Sequence, residues 1–263
     1  MNQAWDIVAS TYAEDAEQWT VYIEEALRIV PVHAGERILD VAAGPGTLSF
    51  RASPVVTRAD AVDYSPGMIH ELKARAARDG FANVHGAVMN AEELAFPDAT
   101  FDAAYCIFAF FFFPDRARAF RELYRVLRPG GRALIATWAT IERRPFMKIG
   151  FDAMAEAFPQ APRPAKGDLQ EPEECVREMS AAGFDEVTAT RFVFSTRIDS
   201  ADHYVHLLSR SAAPLAAMKK QMGSGWESAR QRLVDAVAKR LPGDAKELSA
   251  EAIFTHGIRP ARG

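Results

Sequence analysis

One short segment constrains this chain more than any other: an apolar run that ends in an acid and a glycine-containing turn. Residues 38–47 read Ile-Leu-Asp-Val-Ala-Ala-Gly-Pro-Gly-Thr. Because glycine lacks a Cβ atom, Gly44 and Gly46 allow a sharp backbone turn and the close approach of a ligand. The helix predicted to follow would present unpaired N–H groups and the positive end of its dipole, which suit a carboxylate or a phosphate. The segment therefore predicts a strand that ends at a ligand site.

A second acidic residue stands at the end of the next apolar run. Asp63 closes residues 61–63 and lies 17 residues after Gly46. A carboxylate at this point can accept hydrogen bonds from both hydroxyls of a ribose, as acidic residues do in nucleotide-binding α/β sheets. The strand, the glycine turn and the second acid together predict a pocket for a nucleoside.

The dinucleotide fingerprint Gly-x-Gly-x-x-Gly is incomplete in this turn. Ser49 stands at its third glycine position, where glycine allows close packing of the helix on the strand. Aligned one step earlier, the turn begins with Ala42, which also departs from the pattern. A nicotinamide-dependent oxidoreductase is therefore an alternative that the turn disfavours.

The composition narrows the classes of partner. The chain has 263 residues, 49% hydrophobic and 25% charged, and a formal net charge of −4; these values indicate a globular protein without a broad cationic surface for nucleic acid. No stretch approaches the roughly 20 apolar residues that span a bilayer, and the N-terminus lacks the apolar segment of a signal peptide. Two cysteines are too few for a disulfide framework. We expect a cytoplasmic protein that binds neither membrane nor nucleic acid, with the basic pairs at 143–144 and 219–220 as solvated surface.

Apolar runs alternate with helical patterns along the chain, which predicts a mostly parallel sheet covered by helices. The predicted strands are residues 37–41, 58–63, 83–89, 101–107, 132–138, 186–197 and 251–257. Helical patterns precede the sheet over about 2–29, and helices are also expected after Ser65-Pro66, from about Asp115, over 146–158 and 172–182, and as two or three helices within 200–241.

Four segments resemble the motifs of class I S-adenosylmethionine-dependent methyltransferases, particularly the small-molecule branch that includes the ubiquinone and menaquinone methyltransferases. Residues 39–46 resemble motif I, with Ala42 in place of the usual first glycine. The others are residues 62–68, the acidic second motif; 90–98 with 101–102, the third, where Asn90 replaces a commoner aspartate; and 121–131, which leads into the fifth strand. They lie in the family's order within residues 36–138.

The resemblance implies a fold and a division of the chain. The fold would be an α/β, doubly wound, mostly parallel seven-stranded sheet of Rossmann-like type, with N-terminal helices and a helical cap inserted before the last strand. Residues 1–263 would form a single methyltransferase domain. Within it, residues 1–30 would be N-terminal cap helices, 36–138 the cofactor-binding core and 139–263 the acceptor-side half, with the helical insertion at about 199–243.

The resemblance also implies the cofactor, S-adenosyl-L-methionine, and roles for individual residues. Asp40 would orient the glycine turn and the cofactor's ammonium group, and Asp63 would bind the ribose. Tyr64 and Met68 would flank the adenine with an aromatic face and a polarisable thioether. The residues expected to contact the cofactor are Tyr12, Asp40, Ala42, Gly44, Gly46, Asp63, Tyr64, Met68, Asn90, Ala91, Glu92 and Cys106.

The acceptor is expected beside an unusual aromatic run. Residues 107–114 read Ile-Phe-Ala-Phe-Phe-Phe-Phe-Pro and begin where the fourth predicted strand ends, at the edge of the sheet where ligands bind. We expect half of this run to be core and half to be pocket wall. The residues expected to contact the acceptor are Trp5, Trp19, Phe108, Phe111 and Trp138.

No general base or metal site emerges from the sequence. Many relatives carry polar or histidine residues in the stretch that is phenylalanine-rich here. His203 and His206 lie one helical turn apart, but a recognisable third and fourth ligand are missing. They are expected to be ordinary surface or packing residues, and no metal is predicted.

The predicted reaction is in-line methyl transfer to a small, partly apolar acceptor, with oxygen and nitrogen both open as the accepting atom. The sulfonium methyl is already electrophilic, so the protein mainly supplies geometry. Besides the oxidoreductase, the alternatives are a non-catalytic S-adenosylmethionine-binding module and a protein or RNA methyltransferase. The acceptor's identity and the oligomeric state are not predicted.

Overall fold

The computed structural model describes residues 5–6, 9–10, 19–160, 168–211, 213–242 and 247–261. Tyr12, an expected cofactor contact, lies outside these residues, as do most of the helical segment predicted before residue 19 and part of the proline-rich stretch after residue 158. Within the described part, no helix is both long and apolar enough to cross a membrane.

The described residues form one seven-stranded sheet with the order β3-β2-β1-β4-β5-β7-β6. Neighbours from β3 to β5 run parallel, whereas β7 is antiparallel to both β5 and β6. This sheet is the mostly parallel, seven-stranded sheet that the sequence predicts. The strands are β1 Arg37–Val41, β2 Arg58–Asp63, β3 Val84–Val88, β4 Phe101–Ile107, β5 Leu127–Trp138, β6 Asp185–Arg197 and β7 Glu247–Ile258.

The strand order places a crevice between β1 and β4. From β1 the chain proceeds outwards through β2 to β3, then returns to the other side of β1 with β4. Ligands of open α/β sheets bind where the order reverses in this way, beyond the carboxyl ends of the strands. The glycine turn after β1 and the aromatic run after β4 both lie at this point.

Helices cover both faces of the sheet. α1 to α4 are Thr20–Ile29, Thr47–Ala52, Pro66–Asp79 and Arg116–Val126; α5 to α9 are Pro145–Ala157, Pro172–Ala181, Ala201–Ser211, Ala213–Met222 and Trp226–Ala238. Their ends follow local sequence signals. Ser65 accepts a hydrogen bond from the N–H of Met68 at the start of α3, and Gly80 ends that helix with φ +78°.

Successive side chains of a strand point to opposite faces of the sheet, so each face has its own hydrophobic cluster. Leu39 of β1 packs with Phe120 of α4 and Met179 of α6. Its neighbour Ile38 faces the other side, in the cluster that contains Leu72 of α3. The consequence is a sheet buried on both faces, which explains the continuous apolar character of the parallel strands.

The predicted helical insertion consists of α7, α8 and α9, and it builds a third hydrophobic cluster together with α5. Tyr204, Leu208 and Leu233 are completely buried there. Among the described residues this cluster shares no member with the clusters on the two faces of the sheet, although Leu248 of β7 belongs to it. The insertion is therefore stabilised mainly by packing among its own helices and α5.

Candidate functional site

A cavity of about 350 Å³ opens at the carboxyl ends of β1, β2 and β4, within the size range of small-molecule sites. All the described residues that line this cavity lie within residues 5–114. The described part of residues 139–263 therefore does not contribute to the wall. The wall brings together most residues expected from the sequence: Trp5, Trp19, Asp40, Ala42, Gly44, Asp63, Tyr64, Met68, Asn90, Ala91, Glu92 and Phe108. Gly46, Cys106, Phe111 and Trp138 are not among the residues of the wall.

The turn after β1 has a left-handed backbone at three positions. Ala42 has φ +54°, Gly44 φ +54° and Gly46 φ +85°. This conformation costs a residue with a Cβ roughly 1–2 kcal/mol, which gives a physical reason for glycine being usual at position 42. The N–H of Gly46 donates to the carbonyl of Ala43 at 3.0 Å and closes the turn.

The role of Gly46 differs from the one expected, which is to allow the close approach of a ligand. A Cβ atom at this position would lie 2.8 Å from Cδ1 of Leu72, a side chain of α3. The absence of a side chain at Gly46 therefore allows α3 to pack against the turn, while Gly44 lies on the cavity wall.

Asp63 joins the glycine turn to the start of α3. Its Oδ2 accepts a hydrogen bond from the N–H of Gly44 at 2.8 Å, and its Oδ1 accepts one from the N–H of Ser65 at 2.9 Å. Burial raises the pKa of this carboxyl, although the hydrogen bonds from the two N–H groups oppose the rise. Each carboxylate oxygen has a further lone pair, so Asp63 can still accept hydrogen bonds from a ligand.

Asp40 lies deeper in the same wall. Its Oδ2 accepts hydrogen bonds from Oγ of Ser49 at 2.8 Å and from the N–H of Ser49 at 3.2 Å. Burial raises the pKa of Asp40 to about 7, the bonds from Ser49 oppose this rise and the charge of Asp63 adds to it. Sequence reasoning treated Ser49 only as a departure from the dinucleotide fingerprint and missed its role in holding Asp40; its position in the first turn of the helix was the available signal.

The loop after β3 is fixed by its own side chains. Oδ1 of Asn90 accepts the N–H of Glu92 at 3.0 Å, which forms a local turn. Oε1 of Glu92 accepts the N–H of Asp115 at 2.9 Å, at the start of α4. These bonds hold Asn90, Ala91 and Glu92 at the wall, opposite the buried side chain of Met68.

The aromatic run after β4 divides between wall and core, as expected. Phe108, Phe112 and Phe113 lie on the wall, whereas Phe110 is completely buried beside Phe120. Phe112 and Phe113 were not among the expected acceptor contacts, and Phe111 was. Because residues 110–112 form a 3₁₀ turn, successive side chains point in different directions, which the sequence pattern does not reveal.

Trp138 lies behind Phe108 rather than on the wall. The two rings are stacked, with centroids 3.9 Å apart and an interplanar angle of 8°. Phe108 has φ +56°, a conformation uncommon for a bulky residue, and its N–H donates to the carbonyl of Ala136 at 2.9 Å. This conformation places the Phe108 ring between Trp138 and the cavity.

Cys106 also lies off the wall, as a completely buried member of the hydrophobic core. Burial raises its pKa far above the ordinary range of a thiol, so it cannot act as a nucleophile at neutral pH. Among the described residues, no three His, Cys, Asp or Glu side chains are grouped so that they could hold a metal ion. His203 instead accepts the N–H of Asp199 at 3.2 Å.

Two described residues near the N-terminus, Trp5 and Asp6, lie at one side of the cavity. Trp5 lies on the wall, with its ring centroid 6.1 Å from that of Phe112. Oδ1 of Asp6 accepts hydrogen bonds from the hydroxyl of Ser65 and from the N–H of Gly67, the latter at 2.9 Å. Asp6 is thereby anchored to the first turn of α3.

Sequence comparisons agree with this geometry. Residues 38–131 match a family described as a methyltransferase domain. Aklanonic acid methyltransferase DauC of Streptomyces sp. (strain C5) is 30% identical over 202 residues, which cover 70% of this chain and 91% of the relative. The ubiquinone/menaquinone biosynthesis C-methyltransferase UbiE of Geobacter sulfurreducens is 33% identical over 128 residues, only 50% of its own length.

A comparison of structures gives the same fold. The YcgJ protein of Bacillus subtilis superposes with a TM-score of 0.61 at 23% identity, and the match covers 93% of this chain and 99% of that protein. At this identity the likeness concerns the fold alone, since one fold hosts many chemistries.

Proposed function

This chain belongs to the S-adenosylmethionine-dependent methyltransferases of the small-molecule type, and we propose that it methylates a small, partly apolar acceptor in the cavity beyond β1 and β4. The single observation that carries the proposed site is the carboxylate of Asp63, which faces the cavity while it holds the N–H of Gly44 at 2.8 Å. This contact joins the glycine turn to an acid that can bind a ribose.

The cavity wall fits two polar parts of the proposed cofactor, the ammonium group and the ribose hydroxyls. Asp40, 3% exposed, can face an ammonium group, and an ion pair would offset the burial of its charge. Asp63 has acceptor capacity left for two hydroxyl groups. Met68 and Ala91 offer the apolar surface that an adenine requires.

When bound, the cofactor supplies a methyl group on a positively charged sulfur, so the protein need not create an electrophile. The contribution of this chain is to position the acceptor and to exclude water. Phe108, Phe112 and Phe113 form an apolar wall for both purposes. Among the described residues of that wall there is no histidine, and the carboxylates of Asp40, Asp63 and Glu92 already accept backbone N–H groups. We therefore propose no general base.

The accepting atom is the open part of the proposal. Oxygen and nitrogen are the atoms expected from the sequence, while UbiE is named as a C-methyltransferase and DauC as acting on aklanonic acid. An acceptor with an acidic or enolic group is compatible with a site that has no base, because it loses its proton before it is bound. A cytoplasmic location belongs to the same proposal and is supported by two cysteines that are both free and buried.

Two measurements test the proposal in sequence. Isothermal titration calorimetry should detect binding of S-adenosylmethionine and no binding of NAD. The reverse result would overturn the proposed cofactor and favour a nicotinamide-dependent oxidoreductase. Incubation with methyl-labelled cofactor and a fractionated metabolite extract should then move label into a low-molecular-mass product. If the cofactor binds but no fraction accepts label, the protein is a binding module instead.

A further inference from the structure

A buried arginine beside the aromatic wall forms no ion pair with any described residue. Arg144 precedes α5 and is 8% exposed. Its Nε has no hydrogen-bond partner, and no described residue forms a hydrogen bond or an ion pair with its guanidinium. The sequence predicted a solvated basic pair at 143–144, and for Arg144 this prediction is wrong because the side chain turns inward against Trp138.

The neighbouring arginine has a different environment. Arg143 is half exposed, and its Nη1 lies 3.3 Å from Oε2 of Glu251. Arg191 binds the other oxygen of the same carboxylate at 2.6 Å. Glu251 is thus already shared by two arginines, and Arg144 is left without it.

A buried cation without a counter-ion is costly, because the protein does not replace the water lost on burial. Burial lowers the pKa of Arg144 to about 10, with Glu142 and Tyr22 opposing the shift. The guanidinium therefore stays charged at neutral pH. An anionic ligand would offset the cost, as it would at any desolvated arginine.

Flat rings connect Arg144 to the cavity. Its guanidinium carbon lies 5.7 Å from the centroid of Trp138, which stacks on Phe108 of the cavity wall. Tyr22 packs edge-on against both rings; its ring centroid lies 5.0 Å from that of Phe108 and 5.4 Å from that of Trp138. A planar molecule that enters between these rings from the cavity would reach the guanidinium.

We propose that Arg144 binds a carboxylate on the methyl acceptor, whose flat apolar part lies among Tyr22, Phe108 and Trp138. The acceptor is thus a planar organic acid, held with its anionic group on the far side of the rings from the cofactor. Entry requires the stacked rings of Phe108 and Trp138 to separate, and the unfavourable φ of +56° at Phe108 favours this site for the movement. This inference rests on the proposed function, since it names the class of acceptor for the same site.

A matched pair of probes tests the inference through binding, without turnover. 6-Hydroxy-2-naphthoate and 2-naphthol differ only in the carboxylate, which lies at the opposite end of the rings from the hydroxyl. Each is titrated into protein saturated with S-adenosylhomocysteine while tryptophan fluorescence is followed. The wild type should bind the naphthoate at least about tenfold more tightly, as expected for charge-assisted hydrogen bonds. Arg144→Gln should abolish this preference, Arg144→Lys should restore part of it, and the control Arg143→Gln should retain it.

The outcomes separate this inference from the proposed function. The role of Arg144 is overturned if folded Arg144→Gln retains the preference for the naphthoate. It is also overturned if the wild type binds neither probe or binds both equally. Thermal melting of each variant establishes that it is folded, and removal of an unpaired buried charge is not expected to lower the melting temperature. Cofactor affinity is measured separately, and its absence would overturn the proposed function. The two probes are also compared in protein without S-adenosylhomocysteine, so that the role of Arg144 is tested in either case.

Discussion

Ser49 donates two hydrogen bonds to one oxygen of Asp40, from its hydroxyl at 2.8 Å and from its backbone N–H at 3.2 Å. The residue that interrupts the dinucleotide fingerprint thus holds the buried acid at the end of β1. A glycine at this position would keep the N–H but lose the hydroxyl. The departure from the fingerprint is therefore a structural feature of this site.

Asp40→Asn should remove a pH dependence of the stability. The folded-state pKa of Asp40, about 7, lies above its ordinary value of 3.8, so the folded protein binds a proton that the unfolded chain releases, and stability falls as pH rises through this range. At pH 8 the variant should gain on the order of 4 kcal/mol in free energy of unfolding relative to wild type. At pH 4 the difference should be small. Urea unfolding at both pH values checks this, and an equal effect at pH 4 and pH 8 would contradict it.

Asp63→Ala should weaken S-adenosylmethionine binding by about 1.5–3 kcal/mol for each hydrogen bond to the carboxylate that is lost. Titration calorimetry measures the change, with circular dichroism to verify folding. Asp79→Asn, at the exposed end of α3, is the control and should bind as wild type. Unchanged affinity in a folded Asp63→Ala protein would remove Asp63 from the site.

Ala42→Gly should stabilise the protein. The left-handed conformation at φ +54° costs alanine roughly 1–2 kcal/mol, and the greater freedom of glycine in the unfolded chain offsets about 0.4–1 kcal/mol of the relief. A net gain of about 0.5 kcal/mol is expected in denaturant unfolding. Ala43, which lacks a positive φ, is the control, and Ala43→Gly should destabilise. Stabilisation by both substitutions would rule out relief of strain as the cause.

Gly67→Ala should loosen the N-terminal segment. A Cβ atom at Gly67 would lie 3.2 Å from Cα of Asp6 and 3.3 Å from Cβ of Ala9, and overpacking of this kind typically costs roughly 1–3 kcal/mol. We expect faster proteolysis before residue 19 and faster release of S-adenosylhomocysteine in stopped flow. Gly225→Ala, which meets nothing within 4 Å, should change neither rate. Wild-type rates for Gly67→Ala would show that the segment does not cover the ligand.

The sequence predicts most strand bounds to within one residue, and the two larger differences are the starts of β5, which lies at Leu127 rather than 132, and of β7. The predicted bounds of β1, β2 and β4 coincide with those observed, because each is an apolar run that ends at a turn. β7 begins four residues earlier than predicted, at Glu247, since its pairing with β6 continues to Arg197. Such pairing depends on a partner fifty or more residues away, so the local pattern does not contain it.

In the candidate site too, the local sequence predicts the position of some residues and not of others. Gly44, Asp63 and Ala91 reach the wall because strand ends and turns are readable from the sequence. Trp138 does not, because its position depends on the backbone conformation of Phe108, which no residue pattern encodes. The burial of Arg144 is of the same kind, since an adjacent arginine with the same local sequence context lies at the surface.

The hydrogen bonds of Asp63 have a consequence for affinity. Both carboxylate oxygens are oriented by backbone N–H groups before any ligand arrives, so the rotational freedom of this side chain is lost during folding. Ordering of this side chain therefore adds no entropic cost when a ligand binds. A nucleoside meets an acceptor that is preorganised, and any substitution that frees this side chain would reduce affinity even if the carboxylate itself were kept.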